Sequence, residues 1–419
     1  MNMGVISLIA LVVAIVIGFV KKTNVGIISI ALAFVIGKLY GVSARNIISG
    51  FSGSLAMSMI GVTYLFGVIN CNGTLQKFAG RLVHVAGSRR FMIYVMVFLT
   101  GGFLSGVGPG AIPTLSIVPI LALPVALSSG INSILLCLIG QMGIQAFRMS
   151  PLTPEAVVVQ ELMNEQGIAG TTVPVMFCMI VTDIFMAIGA YIMFKGWQKI
   201  EITAAEEKLE NEPFTMVNWL SFIGLCFMIV TVAFFNWNVG LTSFLVGTVL
   251  VALDCAKERE VVRSIPWDTI MLVLGVGILM NIVSLSGGLD IMAKSLSSVM
   301  SHRTASAIMA GFASFMSFFS SGLGVVFPTL VPMSGAIAQQ TGIGALEMVA
   351  AVVTGGTITG LSPVSSAGAL VLAAVQQNSI TENRYSLNTL FVQLFAVAFM
   401  AMVISVVLAF TGVYGLICA

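Results

Sequence analysis

Charge is what this sequence has least of. Acidic and basic residues make up 8% of its 419 residues, where an ordinary soluble domain carries about 25%. That excludes a water-facing surface over most of the chain. The net charge is +2, too little to favour a nucleic acid, and no nucleic-acid partner is expected. Histidine occurs only at His84 and His302, far apart in basic segments, so no histidine metal centre is expected. The six cysteines (Cys71, Cys137, Cys178, Cys226, Cys255, Cys418) form no CxxC pair and read as small buried hydrophobes. No glycine-rich run continues into Lys-Ser/Thr, and no HExxH occurs. The glycines of GGFLSGVGPG (Gly101–Gly110) lack the preceding strand and βαβ unit of a dinucleotide fingerprint. These absences argue against an enzyme and against a bound cofactor.

Apolar residues are abundant instead, at 58%. Runs long enough to span a bilayer, roughly 20 residues, recur from Val5 to the C-terminus. They lack the short alternating pattern of a membrane β-barrel. The fold class expected is an all-α polytopic membrane protein embedded in the lipid bilayer. The run Val5–Val20 has no basic segment before it and no clear cleavage site after it, and reads as a retained span. Helices are predicted near residues 4–20, 25–41, 54–70, 92–105, 111–128, 132–149, 171–194, 217–235, 239–254, 268–285, 304–320, 325–340, 345–361 and 385–410. Four short pieces flank two glycine-rich phrases and read as two re-entrant helical hairpins, 92–128 and 304–340. That leaves about ten transmembrane helices. Non-helical tips at membrane depth persist only when buried in protein or lining a cavity.

Charge gives the orientation. With the N-terminus outside, Lys21, Lys22, Lys77, Arg81, Arg89, Arg90, Lys195, Lys199, Lys208, Lys257, Arg259, Arg263 and Arg384 are cytoplasmic. Only Lys38, Arg45, Lys294 and Arg303 then lie outside, with Arg148 near or within the membrane. This satisfies the positive-inside rule and places both termini outside a cell inner (plasma) membrane. The acidic stretch with Glu155, Glu161 and Glu165 is then an external loop.

The chain repeats itself. GVGPGAIPTLSIVP (Gly106–Pro119) and SSGLGVVFPTLVP (Ser320–Pro332) share Pro-Thr-Leu at an offset of 215 (328 − 113). Ser150-Pro151 and Ser362-Pro363 share an offset of 212 (362 − 150). Asn72–Arg90 and Ser286–Arg303 both read as amphipathic arms leading into a hairpin. The domains expected are a first inverted repeat (1–194, broken helix 132–160), a cytoplasmic amphipathic linker (195–213) and a second inverted repeat (214–419, broken helix 345–376).

Inverted repeats with interrupted helices place their ligand near the midplane. Broken ends expose N–H groups suited to anions and C=O groups suited to cations. The candidate substrate-binding residues are Gly106, Gly108, Gly110, Thr114, Arg148, Ser150 and Thr153 in the first half. In the second they are Ser320, Ser321, Gly322, Thr329, Ser362 and Ser365. Ser320, Gly322, Gly324, Thr357, Thr359 and Ser366 are oxygen-bearing candidates for Na⁺. The same hydroxyls could equally bond their own backbone. Arg148 reads either as a partner for a substrate carboxylate or as a side chain snorkelling to the interface. Asp183, the one acid well inside a span, reads as a proton relay or as a structural partner of a neighbouring helix. Glu347 begins the helix before the second break, where a carboxylate favours the N-terminus.

GVTYLFGVINCNGTLQKFA (Gly61–Ala79), the phrase at Gly106–Pro119 and FRMSPLTPEAVVV (Phe147–Val159) resemble the N-terminal half of the malonate-carrier (MatC-like) dicarboxylate permeases. More distantly, the plan is similar to the ion transporter superfamily, including the divalent anion:sodium symporters. That resemblance implies inverted repeats, two opposed hairpins, a homodimer and elevator-type motion. The symporters carry Ser-Asn-Thr at each tip, where this chain reads Gly106-Val107-Gly108 and Ser320-Ser321-Gly322. The expectation is a secondary transporter of small organic anions, C3–C4 dicarboxylates, coupled to Na⁺ or H⁺. A cation/proton antiporter and a passive anion channel are the alternatives.

Overall fold

The computed structural model describes residues 3–21, 23–74, 77, 90–107, 110–198, 213–235, 237–319, 321–363, 365–377 and 387–419. Most of the proposed linker, most of the arm at 72–90, the tip residues Gly108 and Ser320, and Arg384 lie outside these. The Ser366 side chain also lies outside them.

Among the described residues every regular element is helical. The first half comprises α1 (Met3–Lys21), α2 (Val25–Leu39), α3 (Ala44–Ile48), α4 (Gly53–Cys71), α5 (Arg90–Gly106), α6 (Ala111–Ser129), α7 (Ser133–Phe147), α8 (Pro154–Glu165) and α9 (Thr172–Met193). The second comprises α10 (Met216–Phe235), α11 (Val239–Ala252), α12 (Glu258–Ser264), α13 (Trp267–Leu285), α14 (Gly288–Ser297), α15 (Ala305–Phe319), α16 (Phe327–Thr341), α17 (Ala345–Ile358), α18 (Ser366–Gln377), α19 (Leu387–Phe410) and α20 (Val413–Cys418). Helices α5/α6 and α15/α16 fall on the segments expected as hairpins, and α7/α8 and α17/α18 on those expected as broken helices.

Local chemistry sets the boundaries. Asn24 and Asn238, 214 residues apart (238 − 24), cap α2 and α11 through their side chains. Gly130 and Gly342 end α6 and α16 in the left-handed region, at φ 63° and 76°, which glycine adopts without a Cβ penalty. Five helical stretches are long and apolar enough to cross a membrane: Ala44–Cys71, Thr172–Met193, Trp267–Leu285, Gly322–Thr341 and Thr389–Phe410. Gly322–Thr341, expected from the sequence as a hairpin arm, is among them. It reaches that length because a π-turn at Gly322–Val326 runs directly into α16. Shorter apolar helices fill the remaining positions of the plan. Ile184, Phe185, Ile188 and Ile192 form an exposed stripe on α9, at the spacing of one helix face and suited to lipid.

The halves grip each other crosswise. Helix α2 packs on α13, and α11 packs on α4. Backbones touch at both crossings. A β-carbon on Gly275 would overlap the Gly26 carbonyl, and one on Gly61 would overlap the Gly240 carbonyl. The two contacts are copies of one another, since both partners shift by 214 residues (240 − 26 and 275 − 61). Small residues permit this close approach between membrane helices. Gly61→Leu is therefore expected to cost about 1–3 kcal/mol by overpacking, lowering the Tm of detergent-purified protein. Gly53→Ala, with nothing within 4 Å of the new carbon, should leave Tm unchanged; equal melting of the two variants would contradict the contact.

One large core runs through α4–α9 and the second-half helices. A smaller one joins Leu11, Ala14 and Ala33 of α1 and α2 to Val276–Val283 of α13. Within each half the hairpin arm lies on the broken helix at a repeated point. Gly143 meets the Phe98 carbonyl, and Gly355 meets the Ala310 carbonyl, each pair shifted by 212 (355 − 143 and 310 − 98). The returning helices reach across: α6 packs on α18, and α16 packs on α8.

Candidate functional site

The first tip begins where α5 ends. Gly106 packs against Phe147, the last residue of α7. Gly110 turns the chain at φ 71° and starts α6. Its missing side chain leaves room for a carboxylate: a β-carbon there would overlap Glu155 Oε2. The Ala111 N–H donates to Glu155 Oε1 at 2.8 Å. Glu155, expected in a loop, lies instead in the first turn of a helix, 1% exposed and against the tip. Its place follows from Thr153, which caps α8 by accepting from Ala156 N–H at 3.2 Å. Glu155 then falls in the first turn of α8 and faces the hairpin.

Arg148, at the end of α7, closes the cluster. Its Nη2 lies 3.5 Å from Glu155 Oε1, and its charge also acts on Asp183 of α9. Arg148 is thus neither a free guanidinium nor a side chain snorkelling away, because an acid seven residues on (155 − 148) folds back onto it. Asp183 is fully buried, and neither of its oxygens has a hydrogen-bond partner. Arg148 Nε and Glu155 Oε2 are also without one. One cation and two buried acids therefore lie near one another beside the first tip.

The remaining first-half candidates divide by what their hydroxyls do. Thr114 donates to the carbonyls of Gly110 and Ala111, both at 2.8 Å. Thr153 donates to Arg148 O at 2.5 Å and Ser150 O at 2.9 Å. Both hydroxyls hold the backbone of the tip and the break. Ser150 lines a cavity of about 460 Å³ together with Thr100, Gly106, Val107, Phe147 and Met176. A second cavity of about 180 Å³ lies across the break, among Ser58, Pro151, Gln160, Glu161, Thr172 and Asn238. Gln141, unmarked by any motif, ties α7 to the returning helix by donating to Leu115 O at 2.7 Å.

The second tip is built differently. Ser321 caps the π-turn, accepting from Gly324 N–H at 3.1 Å. Gly322 sits against the Gly356 carbonyl of α17, and Gly324 against Leu272 of α13. Thr329 is buried in the first turn of α16 with its hydroxyl unpartnered. At the second break, Thr357 donates to Val353 O at 2.7 Å and Thr359 to Ser314 O at 3.0 Å. Ser314 and Ser317 of α15 donate to Gly355 O and Gly356 O. Ser362 is buried, and Ser365 is half-buried. Each tip thus meets the break of its own half, with Glu155 on the first and Gly356 against the second.

Residues 1–147 match the family model described as dicarboxylate carrier protein MatC N-terminus. The match spans the first hairpin and α7 and ends immediately before Arg148. No curated protein matches the chain. Among solved structures, the chain is similar to the YdaH transporter of Alcanivorax borkumensis at 12% identity and TM-score 0.60, covering 90% of this chain and 88% of that one. It is also similar to MtrF of Neisseria gonorrhoeae, described with a class of antimetabolite efflux pumps. That match has 17% identity and TM-score 0.64, covering 89% and 83%. The matching family is a carrier family, and both structures are of transport proteins rather than enzymes. The chain is a multi-pass membrane protein with the fold of a transporter.

Proposed function

We propose that this protein is a secondary active transporter of small organic anions, C3–C4 dicarboxylates such as malonate or succinate, coupled to Na⁺ or H⁺. The observation that carries the reading is the duplicated pairing of a hairpin tip with a broken helix. It coincides with a dicarboxylate-carrier match over residues 1–147. Copied contacts at offsets of 212 and 214 support two halves related by a pseudo-two-fold. With five crossings in each half, the second half begins on the opposite side of the membrane, so the repeat is inverted. We place the protein in the cell inner membrane with both termini outside, working as a homodimer by an elevator-type motion. The unpartnered Thr329 hydroxyl and the backbone of Gly322 and Gly324 leave the second tip as the candidate seat for substrate and coupling cation. Thr357 and Thr359 would reach a cation only by giving up their bonds to Val353 O and Ser314 O.

Purified protein in liposomes is expected to accumulate labelled malonate or succinate above the bath concentration under an inward Na⁺ or H⁺ gradient. Flux that only equilibrates would mark a passive anion channel, and no flux across a panel of mono- and dicarboxylates would end the proposal. The cation/proton antiporter remains the second reading because Asp183 is a fully buried acid with no hydrogen bond. Under it, Asp183→Asn abolishes cation-driven proton movement, whereas dicarboxylate uptake is absent in both proteins.

A further inference from the structure

We propose that the start of α6 is a carboxylate seat that the chain fills with its own Glu155, leaving only the second tip open to a substrate carboxylate. The inference rests on the transport reading for its consequence but not for the seat itself. The N-terminal turn of a 19-residue helix presents unpaired N–H groups and partial positive charge to an anion. The Ala111 N–H donates to the Glu155 carboxylate at 2.8 Å. Gly110 brings the backbone close because it has no side chain to intervene. Arg148 supplies the counter-charge at 3.5 Å. A backbone donor, a glycine approach and a guanidinium form the set a free carboxylate would require. The occupant is 1% exposed and has one oxygen without a hydrogen bond. It is therefore held by the seat rather than by solvent.

Among the described residues no acid sits on the second tip. The residue matching Glu155 at the 212 offset is Ala367 (155 + 212), which carries no charge. The two tips are therefore unequal in kind. Glu155 is a specificity residue: while it stays, a substrate brings one seated carboxylate fewer than a symmetric two-tip site would take.

The test vacates the seat. Glu155→Gly is expected to melt below wild type. Formate, the smallest carboxylate, should restore roughly half or more of the lost Tm by mass action. Nitrate and chloride at the same ionic strength should not. Wild type and Glu155→Gln, whose seats remain filled, should be insensitive to formate. If Glu155→Gly gives no folded protein alone, the same result is read as recovery of folded protein only when formate is present during extraction. A formate effect equal in all three proteins, or absent from Glu155→Gly, overturns the proposal. With the seat open, acids carrying one more carboxylate than wild type accepts should begin to stabilise Glu155→Gly. If formate rescues but no acid stabilises either protein, the seat stands and the transport reading fails.

Discussion

Arg148→Met is expected to be the most damaging single substitution outside the packed backbone crossings, costing about 3–5 kcal/mol. The magnitude comes from what is left behind. Glu155 and Asp183 are buried carboxylates at 1% and 0% exposure, and Arg148 is the cation acting on both. Removing it strands two acids in a low-dielectric interior, where an unpaired charge costs far more than the pair contributed. The loss should therefore be conditional on the acids. Adding Asp183→Asn and Glu155→Gln to Arg148→Met neutralises the cluster and should recover most of the stability, since a neutral network of similar shape avoids the desolvation cost. Glutamine can still accept from the Ala111 N–H. Thermal unfolding of the single, double and triple variants in detergent checks this. A triple variant no more stable than Arg148→Met would show that Arg148 acts by packing its stem rather than by its charge.

Much of the architecture was legible because glycine and proline act locally. The helices predicted near 92–105 and 111–128 are found as α5 and α6, and those near 304–320 and 325–340 as α15 and α16. Both breaks fall at the Ser-Pro pairs, where proline stops a helix. Short polar residues then restart it, as Thr153 does. The repeat was legible for the same reason: Pro-Thr-Leu and Ser-Pro keep their spacing. What stayed hidden depends on partners distant in sequence. Nothing local tells that Glu155 crosses 44 positions (155 − 111) to reach Ala111. Composition marks a threonine as a candidate ligand without showing that Thr114 and Thr357 already donate to carbonyls one turn earlier. The glycines at 26, 61, 240 and 275 are ordinary in a glycine-rich membrane chain until their 214-residue pairing is seen in space. Scarce charge marks Arg148 in the sequence, but not its buried acid, because Glu161 and Glu165 continue the same acidic stretch and make Glu155 look like part of a loop.

The asymmetry of the tips points to the second large effect. With the first tip closed by Glu155, the proposal assigns binding to the second, which Gly322 seats against the Gly356 carbonyl. A valine at 322 cannot keep that contact, because its β-carbon alone would overlap the carbonyl oxygen. Relief requires the tip to lift away from α17, taking Ser321 and the Gly324 N–H with it. The strain is confined to a turn between α15 and α16, whose arms are held elsewhere by Gly355 on Ala310 and by Ser314 on Gly355 O. Gly322→Val should therefore fold and still sit in the membrane, while losing apparent substrate affinity by at least about tenfold, equivalent to about 1.4 kcal/mol. The matched control lies in the same tip, where Ser321→Ala removes the cap on Gly324 N–H without forcing the backbone apart. It should weaken binding less than Gly322→Val, by the cost of one cap, about 1 kcal/mol. Substrate-induced thermal stabilisation measures both, independently of turnover. Undiminished stabilisation of Gly322→Val by every acid that stabilises wild type would remove the second tip from the binding site and return the substrate to the cavity beside Ser150.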